Sequence, residues 1–118
     1  MSASNKPYDL EERTFLFAKD IRIFIKTLKM TPANIEDAKQ LIRSSGSIGS
    51  NYIEANEALS KKDFKFRVKI SRKEAKETVY WLRLINETNE LPNQEEAKLL
   101  IQEAIELKKI LSAIIEKS

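Results

Sequence analysis

A chain of 118 residues is long enough for one domain with a single hydrophobic core, and its content of only two glycines and three prolines favours long helices over a loop-rich fold. The absence of cysteine excludes disulfides and thiolate metal sites and makes a reducing, cytoplasmic setting the simpler expectation. A net charge of +3 is too small to identify a partner. The amino terminus is polar, and no apolar run approaches the roughly 20 residues that span a bilayer, so we expect neither export nor a membrane partner.

The first predicted helix covers residues 10–28. Its apolar positions recur at alternating steps of four and three, which is the spacing of a helix with one core-facing stripe. Pro32 disfavours the α conformation at Thr31 and has no amide proton, so we predict a turn at residues 30–34. Residues 1–8 are predicted to form a flexible arm. The predicted core stripe comprises Leu10, Thr14, Phe17, Ile21, Phe24 and Leu28.

The second predicted helix covers about residues 35–59 and includes the serine-rich segment 44–50, in which each glycine costs about 1 kcal/mol of helix stability. We predict helix here because the apolar period continues through the segment and its small residues allow a neighbouring helix to approach closely. A phosphate-binding loop is the alternative, but its glycine signatures and its preceding strand are absent. The predicted core stripe comprises Ile35, Ala38, Ile42, Ser45, Gly49, Tyr52, Ile53 and Asn56.

Capping patterns mark the start of the last two helices. Ser60 followed by Asp63 predicts that the third helix begins there and runs to about residue 87, and Asn93 followed by Glu96 repeats the pattern after a connection that contains Pro92. Four helices with short connections predict one all-α domain over residues 1–118, an antiparallel up-down-up-down four-helix bundle. The predicted core positions are Phe64, Val68, Ser71, Ala75, Thr78, Leu82 and Ile85 on the third helix, and Ala97, Leu100, Ala104, Leu107, Leu111 and Ile114 on the fourth.

Positive charge is concentrated on the third helix. Residues 61–76 hold eight basic and two acidic side chains, a net charge of +6, so the other 102 residues carry a net charge of −3. On a helical wheel most of these cations form one stripe, the basic ridge, which suits RNA or DNA phosphates bound without strong sequence preference. The alternative is a solvated face that only aids solubility, although such faces normally mix signs. The basic ridge comprises Lys61, Lys62, Lys65, Lys69, Arg72, Lys73, Lys76 and Arg83.

Two apolar stripes lie away from the predicted core, and we expect them to form the interface of a homo-oligomer. The alternative is that helix ends or the amino-terminal arm cover them. Tyr80 and Trp81 border the basic ridge, where they are placed to stack on unpaired bases, although burial at an interface is the more usual position for such residues. The predicted interface comprises Leu16, Ile23 and Met30 on the first helix and Phe66, Ile70, Trp81 and Leu84 on the third.

No catalytic, cofactor-binding or metal-binding residue is predicted, and we expect that the protein is not an enzyme. Without histidine and cysteine it lacks the commonest general base, a thiol nucleophile and the favoured soft metal ligands. Glu54 and Glu57, like Glu74 and Glu77, lie three residues apart, but the di-iron pattern of helical bundles also requires histidine. The residues therefore indicate a non-enzymatic oligomer that binds nucleic acid, or a structural or adaptor subunit with no nucleic-acid ligand.

Three segments, residues 41–55, 60–64 and 72–84, resemble the bacterial four-helix bundle family of 23S rRNA intervening-sequence proteins. Asn51 and Glu54 match a stretch that reads Asn-Ile-Ala-Glu-Gly in many members, whereas the other three positions of that stretch differ. The resemblance implies an antiparallel bundle assembled as a ring, typically a pentamer, and no catalytic residues. It also implies a relation to the accessory protein of diversity-generating retroelements, which binds reverse transcriptase and nucleic acid.

Overall fold

The computed structural model describes residues 9–118, and within them it contains four α-helices and no strand. Each helix packs against its neighbours in sequence, and α1 also packs against α4, which closes the bundle and confirms the predicted fold. No helix in residues 9–118 is long and apolar enough to cross a membrane. The predicted flexible arm, residues 1–8, lies outside the described residues. The helices are α1 (Leu10–Ile25), α2 (Pro32–Asn56), α3 (Lys61–Thr88) and α4 (Gln94–Lys117).

The core stripes of α1 and α3 agree with the prediction. All six predicted positions of the first helix are buried, including Leu28, which follows the helix end. On α3 every predicted position is buried except Phe64, which is half-buried and packs against the core. On α4 the predicted positions from Ala97 to Leu111 are buried, and Ile115 is buried more fully than Ile114. On each of these helices the longest apolar stripe is the buried one, and its spacing determines the buried face.

Helix α2 begins and ends three residues earlier than predicted. Pro32 is its first residue, where the lack of an amide proton costs nothing, and Thr31 is the N-cap that accepts a hydrogen bond from the Asn34 amide at 3.1 Å. Ser60 likewise caps α3 through the Asp63 amide at 3.0 Å. Asn93 is the N-cap residue of α4, as predicted, but the capping pattern was wrong about its side chain, which makes no capping hydrogen bond.

The predicted core stripe of α2 was wrong in part. Ala38, Ser45 and Gly49 are buried as predicted, but four predicted positions are exposed. The five other buried positions each lie one residue before a predicted position, which is about 100° around the helix. Small and polar residues, together with Leu41 and Ile48, occupy the contacts with α1 and α3, while three isoleucines of the predicted stripe face outward. The exposed positions are Ile35, Ile42, Ile53 and Asn56, and the additional buried ones are Asn34, Leu41, Ser44, Ile48 and Ala55.

The serine-rich segment is continuous helix, and one of its glycines is required for helix packing. A Cβ atom on Gly49 would lie 2.8 Å from Thr14 Oγ1 and 3.2 Å from Thr14 Cβ, so α1 and α2 touch at this point. A Cβ atom on Gly46 would meet only Arg22 Nη2, at 3.4 Å, which is ordinary contact with the end of a flexible side chain. Of the two glycines, Gly49 is therefore the one at which the predicted close approach is confirmed.

Two ion-pair groups connect the helices. Arg13 of α1 donates to both carboxylate oxygens of Glu103 in α4, at 2.7 and 2.8 Å, and this hydrogen bonding raises the pKa of Arg13. Arg43 of α2 lies 3.4 Å from the buried Glu74 carboxylate and 2.9 Å from that of Glu77, both on α3. The second glutamate pair considered as a carboxylate site thus lies in a salt bridge between helices.

Candidate nucleic-acid interface

The basic ridge lies along the solvent-facing side of α3, where one unbroken helix presents all eight of its residues. Six of them are exposed, and Lys65 and Arg72 are half-buried. Within residues 9–118, Arg83 is the one member in a salt bridge, with Glu87 at 3.5 Å. A surface that only aids solubility normally mixes signs, and these cations have almost no neighbouring carboxylates to neutralise them.

Helix α4 contributes to the ridge at its centre. A hollow of about 380 Å³ lies between α3 and α4, and Arg72 Nη1 donates across it to Ser112 Oγ at 3.4 Å. No carboxylate lines the hollow, so its five cations form a compact positive field that favours an anion with several charges. The hollow is lined by Lys69, Arg72, Lys73, Lys76, Lys108 and Ser112.

Lys108 and Ser112 are absent from the residues predicted for this site. Each directly follows a buried leucine of the α4 core stripe, Leu107 or Leu111, so the spacing places both on a flank of the helix. The sequence does not specify which neighbouring helix that flank faces. Only the packing of α4 against α3 assigns Lys108 to the basic ridge.

The predicted interface residues have different degrees of burial. Leu16, Ile23, Met30 and Phe66 are exposed, and Ile70 and Leu84 are half-buried. Trp81 is also half-buried and packs against the core, and its buried indole nitrogen has no hydrogen-bond partner among residues 9–118. Tyr80 remains exposed and meets Trp81 edge to face, with ring centroids 5.0 Å apart.

A second surface, a groove between α1 and α2, was not predicted from the sequence. It has a volume of about 650 Å³, and Gly46 and Gly49 lie along it. Phe15, which is 62% exposed, and Ile53 present apolar surface there. The wheel of α2 placed Ile53 in the core, and Phe15 lies outside the heptad spacing used for α1. The other lining residues include three cations, Lys19 and Arg22 of α1 and Lys26 directly after it.

The family model for 23S rRNA-intervening sequence proteins matches residues 7–113. The chain belongs to this family. A crystal structure of a protein of unknown function from the S23 ribosomal protein family of Bacteroides thetaiotaomicron is similar, with a TM-score of 0.80 and 34% sequence identity. That similarity covers 89% of this chain and 96% of the other. No curated protein matches the chain.

The match to 23S rRNA-intervening sequence proteins confirms the resemblance seen in residues 41–55, 60–64 and 72–84. It includes all of α1, α2 and α3 and most of α4. The basic ridge, the hollow with Lys108 and Ser112, and the groove all lie within the matched region. Both surfaces therefore belong to the family domain itself rather than to an appended segment.

Proposed function

We propose that this 23S rRNA-intervening sequence protein is a non-enzymatic, oligomeric bundle that binds RNA or DNA phosphates through the basic ridge. The observation that carries the proposal is the hollow in which Lys69, Arg72, Lys73 and Lys76 of α3 meet Lys108 of α4 without a carboxylate. Each cation that neutralises a phosphate releases condensed counterions, so affinity comes mainly from charge. The ligand is defined by its phosphates, and strong sequence preference is not expected.

The proposal is tested by fluorescence anisotropy with labelled RNA and DNA over a range of salt concentrations. If about seven phosphates are contacted, log affinity for duplex DNA falls against log salt with a slope of roughly −6. Reversing Lys69, Lys73 and Lys76 to glutamate should abolish binding, because all three are exposed and line the hollow. Unchanged affinity in this triple variant would exclude the basic ridge as the binding surface.

A matched control separates local charge from net charge. Reversing Lys19, Lys29 and Lys98 to glutamate changes the net charge by the same amount, at exposed positions outside the hollow. This variant should retain most of the affinity of the parent protein. Equal loss of binding in both triple variants would show that net charge, and not the basic ridge, governs association. Circular dichroism checks that helicity is the same in each protein.

Self-association is the second element of the proposal, and the exposed apolar side chains support it. Leu16 and Ile23 of α1 are exposed, and Leu99 of α4 lies in a small hollow with Ile23. An oligomer would bring several ridges to one polyanion and raise its avidity. Light scattering tests the assembly: replacing both Leu16 and Ile23 by aspartate should lower the molar mass, whereas a parent protein that is a monomer at high micromolar concentration refutes it.

A structural or adaptor role with no nucleic-acid ligand is the second candidate function, and the groove between α1 and α2 favours it. Exposed Phe15 and Ile53 offer apolar contact to a partner, and Lys19 and Lys26 supply positive charge at the same groove. Under this role no nucleic acid shifts the anisotropy at low salt. A stable protein complex that is lost in Phe15→Glu and kept in Lys69→Glu would then establish the adaptor.

A further inference from the structure

The outward side of α3 carries cations and two aromatic rings on one line. Seven residues follow one another at steps of four and three, so they form a straight stripe along the helix. All seven are exposed, including Phe66 at 57% and Tyr80 at 58%. We call this line the outer stripe. It comprises Lys62, Phe66, Lys69, Lys73, Lys76, Tyr80 and Arg83.

The exposed Tyr80 ring contacts a second aromatic ring that packs against the core. It meets Trp81 with the ring planes at 82° and the centroids 5.0 Å apart, and Trp81 itself packs against the core. Such an edge-to-face contact fixes the orientation of a ring that would otherwise be mobile at the surface. A ring that is ordered before the ligand arrives loses little entropy on binding.

We infer that the outer stripe binds single-stranded rather than duplex nucleic acid, with unpaired bases stacked on Phe66 and Tyr80. The inference rests on the proposed function and adds to it the class of nucleic acid. Base stacking on aromatic rings is tolerant of sequence because every base has a π face. In a duplex both faces of each base are covered by neighbouring pairs, so the two rings would find no partner there.

The dimensions of the outer stripe suit a short strand. Phe66 and Tyr80 are 14 residues apart, which is about 21 Å along the helix. Stacked nucleotides lie about 3.4 Å apart along one strand of B-DNA, so a single strand, which is more extended when its bases are unstacked, reaches both rings with roughly six nucleotides or fewer. Lys69, Lys73 and Lys76 lie between the rings, where they meet the phosphates of those nucleotides.

The same three lysines argue against the outer stripe as a face between two copies of the chain. Phe66 belongs to the predicted interface, but packing it there along this line would bury like charges without partners. The buried centre of a protein interface is depleted in lysine, whereas a site for single strands combines cations with aromatic rings. The combination of cations with two aromatic rings on one stripe therefore favours nucleic acid over a second copy.

The test compares a labelled oligo(dT) of about 12 nucleotides with a duplex of equal length, a size within the range of about 4 to 16 nucleotides that single-strand-binding domains of the OB fold occupy. The protein should bind the single strand more tightly than the duplex. Tyr80→Ala and Tyr80→Leu should each lower single-strand affinity roughly 5- to 150-fold, the loss expected for about 1–3 kcal/mol per stacked base. Duplex affinity should change less than about twofold, because stacking plays no part in it.

Tyr80→Phe is the matched control, because it keeps the ring and removes only the hydroxyl; it should retain the single-strand affinity. Equal affinities for single strand and duplex, or full single-strand affinity in both Tyr80→Ala and Tyr80→Leu, would overturn the inference. If the reversal of Lys69, Lys73 and Lys76 still abolishes binding in that case, the proposed function stands without the preference for single strands. Absence of binding to either nucleic acid at low salt would refute both.

Discussion

The side of α3 that faces α2 and the side that faces solvent both carry polar groups, but the inner side pairs them with α2 whereas most cations of the outer side have no carboxylate partner within residues 9–118. There the Ser71 hydroxyl donates to the Ile48 carbonyl oxygen at 2.6 Å, and the Thr78 hydroxyl lies 3.0 Å from Ser44 Oγ. On the outer side, Arg83 is the single ridge residue in a salt bridge within residues 9–118. Paired groups stabilise the fold, whereas neighbouring cations of one sign repel each other, so a ligand explains the outer side better than stability does.

The largest effect on stability is expected from Arg43→Ala. Removing this guanidinium leaves the Glu74 carboxylate buried and without its cation, while the more exposed Glu77 can be hydrated. We expect the free energy of unfolding, measured in urea, to fall by about 3 kcal/mol, near the low end for a broken buried pair because Arg43 is half-exposed.

Two further variants test whether Glu74 is the cause of that loss. Adding Glu74→Gln to Arg43→Ala should recover much of the stability, because it removes the unpaired buried charge. Lys39→Ala breaks only an exposed pair with Glu36 and should cost less than about 1 kcal/mol. Similar losses in Arg43→Ala and Lys39→Ala would mean that water satisfies Glu74, and the contrast between the two sides of α3 would weaken.

The two glycines of α2 provide a second contrast, between a filled and an open helix contact. In Gly49→Ala the new methyl group would press against Thr14, and overpacking of this kind costs about 1–3 kcal/mol. Gly46→Ala meets only a flexible arginine and should gain up to about 1 kcal/mol from helix propensity. The free energies of unfolding of the two variants, measured in urea, test this contrast. Equal changes in the two variants would contradict the close approach at Gly49.

The α2 helix shows where sequence periodicity stops predicting structure. On α1 and α3 one apolar phase dominates, so spacing alone identified the buried faces. On α2 the apolar residues occur in two phases, and the residues at its helix contacts include small or polar ones, such as Ser44, Ser45 and Gly49, beside Leu41 and Ile48. Hydropathy therefore favoured Ile42 and Ile53, which are exposed. The distance to the neighbouring helices decides which phase is buried, and the sequence pattern does not contain that distance.

The candidate site also has one part that the sequence predicted and another part that it did not. The basic ridge follows from the local order of charges on one helix, and that part was predicted. Lys108 and Ser112 join it through the packing of α4 against α3, and the groove beside Phe15 depends on how α1 approaches α2. Features made by two helices require tertiary contacts that a single helical wheel does not supply.

A smaller effect is expected from Ser71→Ala. The Ser71 hydroxyl is buried and donates to a carbonyl oxygen of α2, so its removal should lower the free energy of unfolding by about 1 kcal/mol. Ser50→Ala, at an exposed position inside α2, is the matched control and should not lower stability, since alanine gains up to about 0.7 kcal/mol of helix propensity there. If both serine variants unfold at the same urea concentration as the parent, the buried hydrogen bond contributes nothing measurable.

The smallest effect on stability is expected from the reversal of Lys69, Lys73 and Lys76, although it should have the largest effect on nucleic-acid binding. All three side chains are exposed, and none has a carboxylate within salt-bridge distance in residues 9–118. Surface changes of this kind stay within about 0.5 kcal/mol, and here the removal of like charges opposes any loss. The urea midpoint should therefore match that of the parent. A fall of more than about 1 kcal/mol would show that the lysine stems pack against the bundle, and the outer side of α3 would then contribute to the fold as the inner side does.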